Sequence, residues 1–346
     1  MTKIDEIADG NRLTNADLSC LLTSTFSIVS ITVNVFVCTA TIFGNILILI
    51  SIYKYSKQFK GSLYMFIGNL AVADLLLGLW LLLLLYEEVV PDVKQDWYFC
   101  VTKPIGVLIS YSCSILTLIG ISFDRFMAVI FPLKHLVHTY KRKFFIAYLT
   151  LIWIISIIGG SLTVILPNLE PPSNTFVCRI GAILPPGFEL VSSVALLLAI
   201  LINSSLFGVV MWKIKTKEIP GNSNSQKKNT KTVLMIVIFV TFAVCWLPFV
   251  ICSFLLQANI APSTFQNVVC AQEYLARLGF VNSAQNWIIY GLANRNFRTA
   301  FKKILCCNGC TFPLKPVSFS TDGSRSKSAC KETECPVNLK QNETVI

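Results

Sequence analysis

One carboxylate, Asp74, stands near the middle of an apolar run, 62–86, within the string Asn69-Leu70-Ala71-Val72-Ala73-Asp74-Leu75-Leu76-Leu77. An ionisable group at bilayer depth is costly, so it faces other protein groups rather than lipid and marks a functional site. Elsewhere the apolar runs hold few residues able to do chemistry: Lys103, Asp124 with Arg125, Arg277 with Glu273 one turn above it, and Asn282, Ser283 and Asn286. No second carboxylate lies near Asp74, no histidine falls inside a run, and no nucleophile has a base at hand; His135 and His138 lie in a basic connecting segment. Acid–base and nucleophilic catalysis both need such partners, which argues against an enzyme and for ion binding and charge pairing.

These residues need elements to hold them at depth. With 54% hydrophobic and only 14% charged residues and a mean hydropathy of +0.66, the chain reads as an all-α membrane protein. A bilayer core takes roughly 20 apolar residues per helical span. Seven stretches of suitable length are present, near 27–53, 62–86, 101–127, 144–166, 188–212, 232–256 and 273–292. The expected organisation is an external tail (1–26), a seven-span domain (27–292), a membrane-surface helix with a palmitoylation region (293–310) and a disordered cytoplasmic tail (311–346). The opening segment begins polar and acidic and lacks the basic-then-apolar order of a cleaved signal, so the first span is expected to insert itself.

Orientation follows from where Lys and Arg collect. Lys54, Lys57 and Lys60 follow the first span, Lys134, Lys141, Arg142 and Lys143 the third, and a run from Lys213 to Lys231 the fifth; the opposite connections carry Glu87, Glu88, Asp92, Asp96 and Glu170. The positive-inside rule then puts the N-terminus outside and the C-terminus in the cytosol, as for a multi-pass plasma-membrane protein. The net charge of +11 is a topology signal, and no nucleic-acid partner is expected.

The 13 cysteines sort by location. Cys38, Cys113, Cys245 and Cys252 fall in spans, where they read as small buried apolar residues, and no pair has zinc spacing. Cys100 and Cys178 both meet the oxidising side, so a disulfide tying the loop before span five to the tip of span three is expected. Cys20 and Cys270 are also external, and nothing in the sequence decides whether they pair. Cys306, Cys307 and Cys310 follow a basic amphipathic stretch just inside the membrane, a setting that suits palmitoylation.

In order along the chain stand Gly44-Asn45, then Leu70-Ala71-Val72-Ala73-Asp74, then Cys100 with Asp124-Arg125-Phe126, then Trp153. After these come Cys245-Trp246-Leu247-Pro248 and Asn282-Ser283, followed by Asn286-Trp287-Ile288-Ile289-Tyr290. Carrying all of these, the chain resembles a rhodopsin-like (class A) G-protein-coupled receptor, with flavours of the lipid (lysophospholipid and cannabinoid) and adenosine receptors. The resemblance implies a seven-helix bundle that passes an extracellular small-molecule signal to a heterotrimeric G protein, with arrestin as a further partner.

It also implies two polar layers. In the middle layer Asp74 faces Ser114, Asn282, Ser283 and Asn286, with Asn45 behind, an arrangement similar to the family's allosteric sodium pocket. The competing reading is a polar helix-packing knot without an ion. Trp246, Phe242 and Pro248 take the place of the toggle above that layer. In the inner layer Arg125 takes the role of the arginine held at rest by Asp124, with Tyr290 completing the switch; an interfacial arginine that snorkels to headgroups is the plain alternative. Absence of an acid at the start of span six, beside Lys228 and Lys231, implies no latch to Arg125 and appreciable resting activity.

Several positions depart from the family pattern. Trp287 stands where the seventh span usually has proline, which restores a backbone donor and should straighten the helix. Phe126 replaces a tyrosine, span five has no proline, and Phe207 stands at the place of its inner tyrosine. Val107 occupies the position where amine receptors carry an aspartate, which disfavours a monoamine. One turn further out, Lys103 matches the basic headgroup residue of lipid receptors, although those typically lack Cys100 and have a polar residue where Pro104 stands. Ser253 replaces the amide residue of adenosine receptors. The resulting expectation is an anionic or amphipathic ligand held by Lys103 and Arg277 over Val107, Phe249 and Trp246. The plain alternative has Lys103 snorkelling and Arg277 paired with Glu273.

A retinal protein would need a lysine where Phe280 stands. An ion-coupled transporter or channel built on Asp74 is the remaining alternative, though no internal repeat or broken helix pair supports it. On the inner side, residues 220–225 read as a flexible turn. Residues 294–305 read as an amphipathic helix with Phe297, Phe301 and Ile304 on one face. The tail ends Thr344-Val345-Ile346, a pattern that suits a PDZ domain, which adds such a segment as a strand and grips its carboxylate.

Overall fold

The computed structural model describes residues 24–305, apart from 91, 94–95, 132–137, 169, 171–182, 186, 217–222 and 259–260. Within the helices, the side chains of 24–30, 138–142, 214–215, 223–233, 235, 262–263, 266 and 273 also lie outside that description. Cys178, the palmitoylation cysteines, the 311–346 tail and its terminal PDZ-type triplet are therefore not among the described residues, nor is residue 20.

Seven long helices follow one another: α1 (Ser24–Lys54), α2 (Ser62–Val89), α3 (Trp97–Ile130), α4 (His138–Ile165), α5 (Phe188–Thr216), α6 (Ser223–Leu255) and α7 (Pro262–Ala293). A short α8 (Arg295–Leu305) closes the described chain. Among the described residues there is no strand, as expected where every backbone polar group must be satisfied inside its own segment.

Several boundaries differ from the sequence expectation, the starts of α6 and α7 the most. α7 starts at Pro262, well before residue 273, because proline at a first helical position costs no hydrogen bond and has its φ already set. α6 is already helical at Ser223, so residues 223–225 belong to the helix and not to the turn. Six of the long helices are apolar enough to span a bilayer by composition alone. α7 is not among them, because its polar residues dilute its hydropathy. Those residues are turned into the bundle: Gln272, Asn282, Ser283 and Asn286 are all buried.

The helices form a closed ring in which α1 packs on α2 and α7, α6 on α5 and α7, and α3 sits between α2, α4 and α5. Outward faces are as apolar as inward ones: Phe36 is 74% exposed and Val244 63%, which only a hydrocarbon surrounding makes acceptable. Where α1 turns into α2, Gly61 adopts φ of +110°, a conformation open to glycine. α3 begins on Asp96, whose carboxylate accepts from the backbone N–H of Tyr98 (2.9 Å) and Phe99 (3.2 Å) and so caps the helix.

α8 lies against the inner ends of α1, α2 and α7 as an amphipathic helix. Phe297, Ala300 and Phe301 are buried and Ile304 packs on the same cluster, while Lys302 and Lys303 stay exposed. Phe297 meets the rings of Phe59 at 4.6 Å, Tyr290 at 5.1 Å and Tyr64 at 6.0 Å. Asn296 adds donations to the Gln58 carbonyl (3.0 Å) and the Tyr64 hydroxyl (3.2 Å). This anchoring explains why so short a helix, whose isolated stability would be marginal, holds its place.

Candidate functional site

Asp74 is fully buried at the centre of the bundle, and its partners come from two other helices. From α7 the Ser283 hydroxyl donates to Oδ1 at 2.6 Å and the Asn286 amide to Oδ2 at 2.8 Å; from α3 the Ser114 hydroxyl donates at 3.4 Å. Asn45 of α1 ties this layer together by donating to the carbonyls of Thr41 (2.9 Å) and Ser283 (3.2 Å). Asn282 does not reach Asp74. Its carbonyl accepts from Gln285 at 3.3 Å, and its side chain lines a cavity of about 20 Å³ together with Tyr111, Ser114, Phe242, Trp246 and Ser283.

That space exceeds the roughly 10–15 Å³ one water needs. Two buried acceptors of the same layer, Asn45 Oδ1 and Asn286 Oδ1, have no hydrogen-bond partner, although buried oxygens are normally satisfied. A carboxylate, two hydroxyls and two free amide oxygens form the hard-oxygen set that suits an alkali cation or its hydration waters.

Trp246 stands directly above the cavity. Its ring lies 4.9 Å from Tyr111 and 5.8 Å from Phe249. A Cβ at Gly279 would come within 2.7 Å of the indole, so only glycine lets α7 approach the ring so closely. Phe242 is buried beneath it. Val107 lines the same small cavity.

Near the C-terminal end of α3, Asp124 and Arg125 are both buried. The guanidinium donates to Asp124 Oδ2 through Nε at 3.1 Å and makes a second, closer contact through its terminal nitrogen. Ser62, the first residue of α2, donates to the other carboxylate oxygen at 2.7 Å. Asp124 therefore joins α2 to the arginine. Tyr290 is buried against Phe297, and its hydroxyl has no partner. Phe207 packs on Phe239 of α6, ring to ring at 5.6 Å, where a tyrosine could have offered a hydroxyl. α7 continues as helix through Trp287.

The outer end differs most from expectation. Glu87 and Glu88 are not loop residues: they form the last turn of α2 and point into the bundle. Lys103 is buried and donates to Glu87 at 2.6 Å, so it is not a free headgroup cation. Glu88 accepts from Asn34 of α1 at 2.9 Å and lies 3.9 Å from the Arg277 guanidinium of α7. Arg277 thus has an acid on another helix, while the Glu273 side chain lies outside the described residues. Gln272 of α7 donates to Ser253 of α6 at 3.0 Å and reaches Glu189 of α5 at 3.5 Å. The Gln272 amide thus meets Ser253 from the neighbouring helix. Cys100 and Cys270 are disulfide-bonded, whereas Cys38, Cys113, Cys245 and Cys252 are free.

Reading the sequence for single charges missed Glu87, Glu88, Ser62 and Tyr111. For Tyr111 a signal existed: residues 103, 107, 111 and 114 recur at helical spacing and share one face of α3. For the acids there was none, since residues 75–85 before them are apolar throughout.

The described helices thus form a bundle with ion pairs at one end, a buried carboxylate at its centre and a paired arginine at the other end. The chain matches the model of the 7 transmembrane receptor (rhodopsin family) over residues 44–290 and belongs to that family. It is 27% identical over 312 residues to the melatonin receptor type 1A of Mus musculus, covering 86% of this chain and 85% of the relative. To the sphingosine 1-phosphate receptor 1 of Danio rerio it is 26% identical over 315 residues, covering 85% and 83%. A QRFP-like peptide receptor of Branchiostoma floridae is 26% identical over 293 residues, covering 78% and 75%. These relatives are receptors, not enzymes, and their names give three different ligands at nearly equal identity.

Proposed function

We propose that this receptor takes an extracellular amphipathic small molecule, not a monoamine, and couples to a heterotrimeric G protein. The observation that carries this reading is the column of residues through the bundle. The Lys103–Glu87 pair stands over Val107 and Tyr111, Tyr111 meets Trp246, Trp246 caps the Asp74 layer, and Asp124–Arg125 closes the inner end. A ligand with both an anionic and a polar group exchanges with the outer ion pairs, because a bare anion would have to separate Lys103 from Glu87 and leave a buried carboxylate unpaired. A monoamine finds only Val107 at the depth where an acid would be needed. The sphingosine 1-phosphate receptor among the relatives supports a lipid-like ligand.

In the middle layer, Asp74, Ser114 and Ser283 with the free oxygens of Asn45 and Asn286 would hold a sodium ion, which supplies positive charge to a carboxylate isolated from water. The residues themselves cross-link α2, α3 and α7. At the inner face, Arg125 leaves Asp124 to meet the G protein. The N-terminus is external, the C-terminus cytoplasmic, and the receptor resides in the plasma membrane. Arrestin and a PDZ-domain protein are further partners for the tail.

The test is a screen of lysophospholipids, nucleosides and amines with a G-protein dissociation readout in intact cells. A response to an amphipathic lipid that falls at least tenfold in potency, about 1.4 kcal/mol, in Lys103→Glu supports the reading. Activation by a monoamine, or ion flux without G-protein dissociation, overturns it.

A further inference from the structure

We propose that the cleft between α3, α4 and α5 seats one hydrocarbon chain of a bilayer lipid and transmits its presence to Trp246 through Tyr111. The cleft encloses about 360 Å³ and is lined among others by Tyr111, Ile115, Ile155, Gly159, Val191 and Leu196. A second hollow of about 430 Å³ shares Thr163, Phe188 and Val191 with it and continues outward to Leu166 and Pro167. The first volume alone falls within the roughly 300–1,000 Å³ of small-molecule sites.

Its mouth opens on the membrane side of the bundle. Ile155 is 51% exposed and Val191 67%, both within spans, so the molecules that meet the cleft are those dissolved in the bilayer. No charged residue lines either hollow. Two of the lining hydroxyls are already engaged on their own helices: Thr163 donates to the Gly159 carbonyl at 2.7 Å and Ser192 to the Glu189 carbonyl at 3.0 Å. Beyond these and the hydroxyls of Tyr111 and Ser112, the wall is apolar, suited to a chain and not to a headgroup.

Two adjacent glycines separate packing from opening. A Cβ at Gly160 would lie 2.9 Å from Ile109, so that glycine lets α4 approach α3; a Cβ at Gly159 would meet nothing within 4 Å. Glycine inside a helix is unfavourable relative to alanine, and at Gly159 no helix contact requires it. Its missing side chain leaves the cleft open.

Tyr111 lines both this cleft and the small cavity over the Asp74 layer, with its ring 4.9 Å from Trp246. It is a single wall between the membrane and the polar centre. Since lipid tails are as apolar as the wall, seating a chain gains packing contacts and not hydrophobic burial. The occupant is therefore selected by shape, and is an abundant bilayer component rather than a trace signal.

The test uses the full chain in nanodiscs containing phosphatidylcholine with a photoreactive diazirine on one acyl chain, followed by peptide mapping. Labelling concentrated on residues 155–163 and 188–196, and reduced several-fold in Gly159→Leu, supports the proposal. The leucine enters open space on a helix, so an unchanged melting temperature confirms that the variant is folded. Even labelling of outward residues such as Phe36 and Val244, undiminished labelling in Gly159→Leu, or labelling of the cleft only by a sterol diazirine overturns it. Coupling is read from Trp246 emission, isolated as the difference between wild type and Trp246→Phe. A change on exchange into short-chain lipid that is absent in Gly159→Leu supports the Tyr111 route, and an equal change in both backgrounds rejects it.

Discussion

Asp74 accepts three hydrogen bonds from two helices, and a buried carboxylate so held is costly to disturb. Removing one partner of such a group leaves the others unsatisfied, each at about 1–3 kcal/mol. A ligand that binds only the folded state raises stability in proportion to its occupancy. Replacing choline chloride by sodium chloride at equal ionic strength is therefore expected to raise the melting temperature of the wild type by a few degrees, and to leave Asp74→Ala unchanged; thermal unfolding in detergent checks this. At the inner end, Asp124 holds Arg125 and is itself held by Ser62. Asp124→Ala is expected to raise ligand-independent nucleotide exchange several-fold, whereas Ser62→Ala, which leaves the ion pair intact, raises it less. Purified receptor with G protein gives both values.

Helix positions show how one substitution is absorbed by another. Trp287 lies where a proline would have left room, and its indole packs on the backbone of α1: a Cβ at Gly44 would lie 1.9 Å from the ring. The ring also meets Phe43 edge-on at 5.6 Å. Gly44→Ala is expected to destabilise the receptor by about 1–3 kcal/mol through overpacking, and Trp287→Ala in the same chain should recover part of that loss. A double-mutant cycle of melting temperatures measures the coupling. α8 depends on Phe297 in a comparable way, since its ring is fully buried between Phe59 and Tyr290. Phe297→Ala is expected to cost about 3–5 kcal/mol locally, seen as faster amide exchange in α8 with little change in α4.

Across the whole molecule, the ring of helices is closed differently at each level. At the outer end Glu87 and Glu88, adjacent in α2, hold α3 through Lys103 and α1 and α7 through Asn34 and Arg277. In the middle Asp74 joins α2, α3 and α7, and at the inner end α8 clasps α1 and α2. Disulfide bonding at Cys100, at the start of α3, and at Cys270 in α7 reinforces the outer end. Cys270→Ser is expected to lower the melting temperature, and reducing agent should then lower it further through Cys100. Non-reducing peptide maps check the pairing of Cys100 with Cys178.

Much of this could be read from the chain. Seven spans, Asp74, the Asp124–Arg125 pair and the amphipathic α8 are local in origin. Each depends on residue type and spacing within one segment, and bilayer thickness sets the length of the rest. Long-range partners were not legible. Glu87 and Glu88 looked like loop acids because nothing in an apolar span announces which way its last turn points. Lys103 looked like a free cation because its partner, 16 residues away, is brought near only when α2 and α3 pack.

The class of protein and the depth of its charges were thus determined by sequence alone, since lipid permits few ways to bury a backbone. Which charge meets which was decided only by the tertiary structure, because buried pairing depends on how helices rotate against one another. Asn282 turns from Asp74 to the cavity, Arg277 meets Glu88 on another helix, and Gln272 brings Ser253 its amide for that reason.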